Sequence, residues 1–295
     1  PLACTGTGAP QLSVAGSLGF GDVLVNSSSN QTLRVTNTGS APLNLTGASF
    51  SVGGVFTLQP SPLPTNIAAN GGFADLIVRC APTAEGLATS TLTLFSNANA
   101  GSVSLSCTGI TPRISTPASV SVGSVVVGSF GLKAVRVTNT GTAPLNVTSA
   151  SFNLTNAITL LTNPPPTNIA ANGGFADLIV RCAPSAEGLV SNTLSIGSTG
   201  GSASVSLTCT GVAARITAPG SLGFGNVRVN SSSNLTLRIT NTGTAPLNLT
   251  GASVTGSTIF SLPSPSLPTN IAANGGFADL LVRCAPTAMG TFSAR

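Results

Sequence analysis

The residues able to do chemistry recur at fixed intervals. Cys80, Cys182 and Cys284 are separated by 182 − 80 = 102 and 284 − 182 = 102 positions, and Cys107 and Cys209 again by 209 − 107 = 102. Cys107 follows Cys80 by 27 residues, and Cys209 follows Cys182 by the same 27. Both kinds fall on the apolar phase of alternating segments. Cysteines so placed form disulfides in an oxidising compartment and remain buried thiols in a reducing one. The first outcome is expected, as Cys80–Cys107 and Cys182–Cys209. Cys4 belongs to the later kind and Cys284 to the earlier one, each without its counterpart. They are expected to pair with a preceding and a following module or subunit. Tetrahedral zinc would need ligands drawn from separate repeats, because the chain has no histidine and no Cys-x-x-Cys. No metal and no cofactor is expected.

Arg34 and Asp75, Arg136 and Asp177, and Arg238 and Asp279 recur with the same period on the outward phase of their segments. Structural ion pairs across neighbouring strands are expected there. Glu85 and Glu187 are answered by Met289 in the third copy, which excludes a catalytic or ligand role common to all copies. Without histidine, and with Lys133 the single lysine, a His-dependent triad cannot be assembled. No calcium loop, phosphate loop or dinucleotide fingerprint appears. Catalysis is therefore not expected. Asn44, Asn146 and Asn248 stand in Asn-x-Thr at identical places, and Asn26, Asn30, Asn153, Asn230 and Asn234 also satisfy the acceptor rule. Glycosylation in a competent host and a merely polar strand face both account for them.

Charged residues make up 6% of the 295 positions, with a net charge of +5 from ten arginines and Lys133 against six acids. The charges form no basic run, and Tyr and Trp are absent, so nucleic-acid binding is not expected. Mean hydropathy is +0.43, yet the apolar residues are distributed, and no stretch approaches the roughly 20 needed for a spanning helix.

The segments that must position these residues alternate with period two. Leu33 and Val35 face one way and Arg34 and Thr36 the other; Ala74, Leu76, Val78 and Cys80 oppose Phe73, Asp75, Ile77 and Arg79. The region from Leu12 to Val25 reads as one first strand with a glycine-permitted bulge, repeated at Ser119–Val125 and Ser221–Val227. Asn37-Thr38-Gly39 and Asn70-Gly71-Gly72 read as turns, and Ala81-Pro82 as a stop, after what is taken as the penultimate core strand. Thr91–Phe95 and Ser102–Cys107 read as a closing hairpin. About seven strands per repeat with regular turn signals give an all-β fold of tandem immunoglobulin-like β-sandwich repeats with a period of 102 residues. The expected division is residues 1–8 as the closing strand of a preceding module, then modules at 9–110, 111–212 and 213–295, the last lacking its final strands.

The Gly-Phe-Gly before a valine strand, the run from Arg34 to Thr46 with Asn-Thr-Gly-Ser-Ala-Pro-Leu, the run from Ala74 to Thr83, and the closing Cys-Thr-Gly together resemble bacterial choice-of-anchor D repeats. These are similar to immunoglobulin-like domains of the Hydin and abnormal-spindle type, related to the major sperm protein fold. The resemblance spans the chain three times and implies surface-displayed or secreted sandwich arrays with structural or binding roles. The expected function is a repeat segment of an extracellular or cell-surface fibre, stalk or sheath, with self as partner. That array is either a longer continuous chain or subunits joined head to tail by strand exchange, with lateral packing. An adhesin presenting variable loops to a glycan or protein is the alternative, because residues 50–63, 152–165 and 254–267 differ most among the copies.

Overall fold

The computed structural model describes residues 8–59, 63–263, 267 and 269–295. The described elements are all β-strands. The first repeat contains β1 (Leu12–Val14), β2 (Ser17–Leu24), β3 (Ser29–Asn37), β4 (Leu43–Phe50), β5 (Phe56–Leu58), β6 (Thr65–Ile67), β7 (Phe73–Cys80), β8 (Gly86–Ser96) and β9 (Gly101–Ile110). One sheet is ordered β1-β3-β7-β5 and the other β2-β9-β8-β4-β6, the two layers of an immunoglobulin-like sandwich.

The second repeat has β10 (Ile114–Ser115), β11 (Ser119–Val126), β12 (Gly131–Asn139), β13 (Val147–Phe152), β14 (Ile158–Leu160), β15 (Phe175–Cys182), β16 (Gly188–Ser198) and β17 (Gly201–Val212). Its sheets run β10-β12-β15-β14 and β11-β17-β16-β13, the same order with the edge pairing of β6 reduced to a bridge between Leu145 and Ile169. The third has β18 (Ile216–Thr217), β19 (Ser233–Asn241), β20 (Leu247–Leu249), β21 (Phe260–Ser261), β22 (Thr269–Ile271) and β23 (Gly276–Cys284). Here the sheets are β18-β19-β23-β21 and the pair β20-β22.

Alternation decides which side chains are buried. Leu33 and Val35 on β3 and Leu76 and Val78 on β7 meet Leu43, Leu45, Leu92, Leu94, Val103 and Leu105 from the facing sheet, all at most 1% exposed. Each such side chain contributes about 1.5–3 kcal/mol by leaving water. The second core repeats the pattern with Val135, Val137, Leu178, Val180, Leu194, Ile196, Val205 and Leu207.

Two expectations need correction. The region Leu12–Val25 is not one strand. β1 pairs antiparallel with β3 in one sheet, and β2 pairs parallel with β9 in the other. One segment thus covers a free edge of each layer, which neither half could do alone. The bulge lies between Gly19 and Asp22, where Gly21 takes a left-handed φ of 66°. The second correction is at Ser221–Val227, which forms no strand. In the first two repeats this segment is held by the closing strand β9 or β17, and the described residues of the third repeat include no such partner. The third core is accordingly thin, built on Ile239, Leu249, Ile271 and Leu280. Grooves of about 430 and 720 Å³ open beside Phe224 and Phe260.

Neighbours on β7 provide a test of register. Leu76 is 1% exposed and Ile77 45%. Leu76→Ala should destabilise the first repeat by about 2–5 kcal/mol and Ile77→Ala by no more than about 0.5 kcal/mol, read as urea midpoints. Equal losses would refute this packing.

Candidate functional site: disulfides and the joints between repeats

Cys80 ends β7 and Cys107 lies near the end of β9, strands that belong to opposite sheets. They form a disulfide with Cα atoms 6.6 Å apart, as do Cys182 and Cys209. β7 is third from last in its repeat, not penultimate, because both strands of the closing hairpin follow it. The bond therefore staples one layer of the sandwich to the other. Cys284, at the end of β23, is a buried free thiol, and Cys4 lies outside the described residues. His/Cys/Asp/Glu groupings suited to a metal ion are absent among the described residues.

Arg34 stands opposite Asp75 in the β3–β7 ladder. Its Nε donates to Oδ1 and its Nη2 to Oδ2, both at 2.8 Å. Arg136–Asp177 and Arg238–Asp279 repeat this bidentate pairing. Hydrogen bonds from the guanidinium hold each Asp carboxyl below its ordinary range. Sequence reasoning missed the third member. The guanidinium carbons lie 3.9, 3.9 and 3.7 Å from the ring centres of Phe73, Phe175 and Phe277. Each ring sits two residues before its Asp and therefore on the same strand face, which is the signal that could have found it. The cluster is solvent-facing and internally neutralised, an arrangement that fixes side chains and offers no reactive group.

The joints carry the most elaborate polar geometry. β9 leads to β10 through Thr111–Arg113, and this linker lies on the loop that begins with Asn139. Asn139 is fully buried. Its Nδ2 donates to Ala143 O at 2.8 Å and Ile169 O at 3.0 Å, and its Oδ1 accepts from Gly141 N at 3.0 Å and Arg113 N at 3.2 Å. Thr111 O accepts from Thr142 N and Ala143 N, while Thr140 N donates to Arg113 O at 2.9 Å. A Cβ on Gly141 would sit 2.3 Å from Thr111 O and 2.5 Å from Arg113 N, so only glycine lets the linker lie this close. From the other side, Asn172 N and Gly173 N donate to Gly141 O and Asn139 O at 2.9 and 2.8 Å.

Asn241, Gly243 and the linker Ala213–Arg215 repeat every feature. Asn37 and Gly39 likewise receive Ala9–Gln11. Asn-Thr-Gly, read from sequence as a simple turn, is a receiving surface for the incoming chain. The clue was its unchanged asparagine and glycine in three copies, more than a turn requires.

Glu85 also acts at the joint. Its loop rests on the end of β9, where a Cβ on Gly109 would meet Ala84 O at 2.1 Å. Glu85 Oε2 accepts from Arg113 Nη2 at 2.8 Å, and Oε1 accepts from Thr142 Oγ1 at 3.2 Å and from Thr111 Oγ1. Glu187 accepts in the same way from Arg215 Nη2 and, at 2.6 Å, from Thr244 Oγ1. These hydroxyl and guanidinium donors lower both carboxyl pKa values, with the threonine hydrogen bond the largest cause in each. The acceptor asparagines Asn44, Asn146 and Asn248 stand exposed on the polar face.

Closing a 27-residue interval restricts the unfolded chain by about 3.5 kcal/mol. Cys80→Ser with Cys107→Ser should lower the stability of the first repeat by roughly that amount and leave the second repeat's urea midpoint unchanged. Asn139→Ala should cost the second repeat about 2–3 kcal/mol, since it strands several buried backbone groups. A loss below about 0.5 kcal/mol in that urea titration would overturn the receiving-loop role.

No family model matches the chain, and no curated protein does. Among solved structures, the titin I-band fragment I67–I69 aligns over 94% of this chain and 88% of its own, with 12% identity and a TM-score of 0.35. The extracellular cadherin domains 1–4 of protocadherin gamma B7 align over 95% of this chain and 68% of theirs, with 11% identity and a TM-score of 0.41. A protein of unknown function from Porphyromonas gingivalis W83 aligns over 68% of this chain and 99% of its own, with 17% identity and a TM-score of 0.30.

Proposed function

We propose that the chain is a structural segment of an extracellular or cell-surface fibre, stalk or sheath, and neither an enzyme nor a nucleic-acid-binding protein. The observation that carries this reading is the joint. A three-residue linker is hydrogen-bonded to the next repeat through its first and last residues, and the same contacts recur at Ala213 and Arg215. Repeats joined that way behave as quasi-one-dimensional stacks whose length grows by duplication.

The disulfide that joins the layers in each of the first two repeats fits an oxidising environment outside the cell. The proposed modules span residues 9–110, 111–212 and 213–295, and the resemblance to choice-of-anchor D repeats supports surface display. Self is the proposed partner. Cys284 and the groove it lines fit a closing strand of the β9 type that bears a cysteine, supplied by a continuing chain or by another subunit. The low charge and the exposed rings of Phe73, Phe175 and Phe277 suit lateral packing of such arrays.

Electron microscopy of native material should show filaments or stalks of uniform width. Non-reduced and reduced mass spectrometry would separate the two modes of growth, since disulfide-joined subunits collapse to one mass on reduction and a continuous chain does not. Isolated monomers that bind a surface glycan, with no filaments, would sink the proposal in favour of an adhesin.

A further inference from the structure

Glu85 and Glu187 belong to no core and no active site, yet each is held by donors that all come from the following repeat or the linker into it. Arg and Thr stand at both joints where a Glu faces them, Arg113 with Thr142 and Arg215 with Thr244, while Thr111 is answered by Ala213. Where Glu85 and Glu187 stand, the third copy has Met289, 91% exposed. Where Arg113 and Arg215, and Thr142 and Thr244, receive them, the first repeat has Gln11 and Ser40. The backbone seat does not change with them, because Gln11 N still reaches Asn37 Oδ1 and Gly39 still underlies the linker.

We infer that these residues form an orienting key: an outgoing face carrying Glu fits an incoming face carrying Arg and Thr, and so fixes the angle between successive repeats. Met289, Gln11 and Ser40 lack the charged groups that such a key uses. The physical argument is geometric. The linker's backbone hydrogen bonds attach it to the following repeat, which by themselves leave rotation about the end of β9 open. Glu85 projects from the loop between β7 and β8, away from the linker in sequence, and reaches both the linker and Thr142. A second, off-axis attachment of this kind removes the rotation that a single attachment permits. The loop bearing it is seated on Gly109, so the carboxylate cannot swing with its own backbone.

Acid should release the key. Arg113 and the two hydroxyls are the charged and polar side chains that hold Glu85. A carboxyl whose folded pKa is depressed stabilises its contacts fully above its unfolded value and loses them as pH falls through the folded one. The effect should therefore appear below about pH 4 and be absent at neutrality.

The test is NMR alignment of the full chain. In the unaltered protein at neutral pH, backbone residual dipolar couplings of the first and second repeats should fit one common alignment tensor. Glu85→Met, which copies the third repeat, should abolish that common fit, and Glu187→Met should abolish it between the second and third. Arg113→Gln with Thr142→Ala, altering the opposite face, should reproduce the loss seen with Glu85→Met. Met289→Glu should leave all alignments as they are. Urea midpoints of the disulfide-linked repeats serve as the control for folding and should not move in Glu85→Met. A common tensor that survives in Glu85→Met, or one lost in only one of the two opposing variants, overturns the key. The outcome is independent of fibre assembly: keyed joints in a protein that forms no filaments would refute the preceding proposal and leave this one standing.

Discussion

The structure depends on the fully buried amide of Asn37, Asn139 and Asn241, at the same place in each repeat. Asn139 spends both sides of its carboxamide on backbone, donating into its own repeat and accepting from the linker that arrives from the previous one. An amide shut away from water must satisfy its donors and its acceptor locally, and leaving them unmet costs more than making them gains. The linker's path is thereby tied to the folding of the repeat it enters. The glycine two positions on is the steric half of the same constraint, since any side chain there would occupy the linker's place. The stretch from Pro64 to Pro82, which returns unchanged at Pro166–Pro184 and with Leu281 for Ile77 at Pro268–Pro286, takes its meaning from this. Its Asn-Gly-Gly turn braces the receiving loop from beneath, with Asn70 N and Gly71 N donating to Gly39 O and Asn37 O.

Charge is used sparingly and locally. The chain has six acids, and five of them, Asp75, Asp177, Asp279, Glu85 and Glu187, are in ion pairs. Three pairs run straight across neighbouring strands and two run across joints. Exposed pairs of this kind add little to stability, typically up to about 1 kcal/mol, so their value lies in the direction they impose. Stability comes instead from the alternating apolar faces and from the bonds that tie the two layers together. That separation lets surface residues differ among repeats, as at Met289, without endangering the core.

Period-two alternation made the fold class legible, because a one-residue slip would have turned Leu33, Val35, Leu76 and Val78 outward. Cysteines and Arg–Asp pairs stood out by type and interval. What escaped was set by tertiary partners. The division of the first strand into β1 and β2 follows from two sheets each needing an edge covered, which no local pattern encodes. Ser221–Val227 has a sequence close to that of β2, and among the described residues it has no parallel neighbour to pair with. Met289 excludes for Glu85 only a role common to all copies, and the assumption that a useful residue recurs in every repeat hides the role it has at a joint.

That assumption fails for a joint. A residue inside a repeat serves that repeat and can be expected in each copy, whereas a residue at a joint serves a pair and needs only the partner across it. Glu85 has Arg113 and Thr142, Glu187 has Arg215 and Thr244, and Met289 answers to neither set. In a tandem array the informative comparison is therefore between the outgoing face of one copy and the incoming face of the next. Met289, standing where the first two copies have Glu, marks the surface that those copies use at their joints.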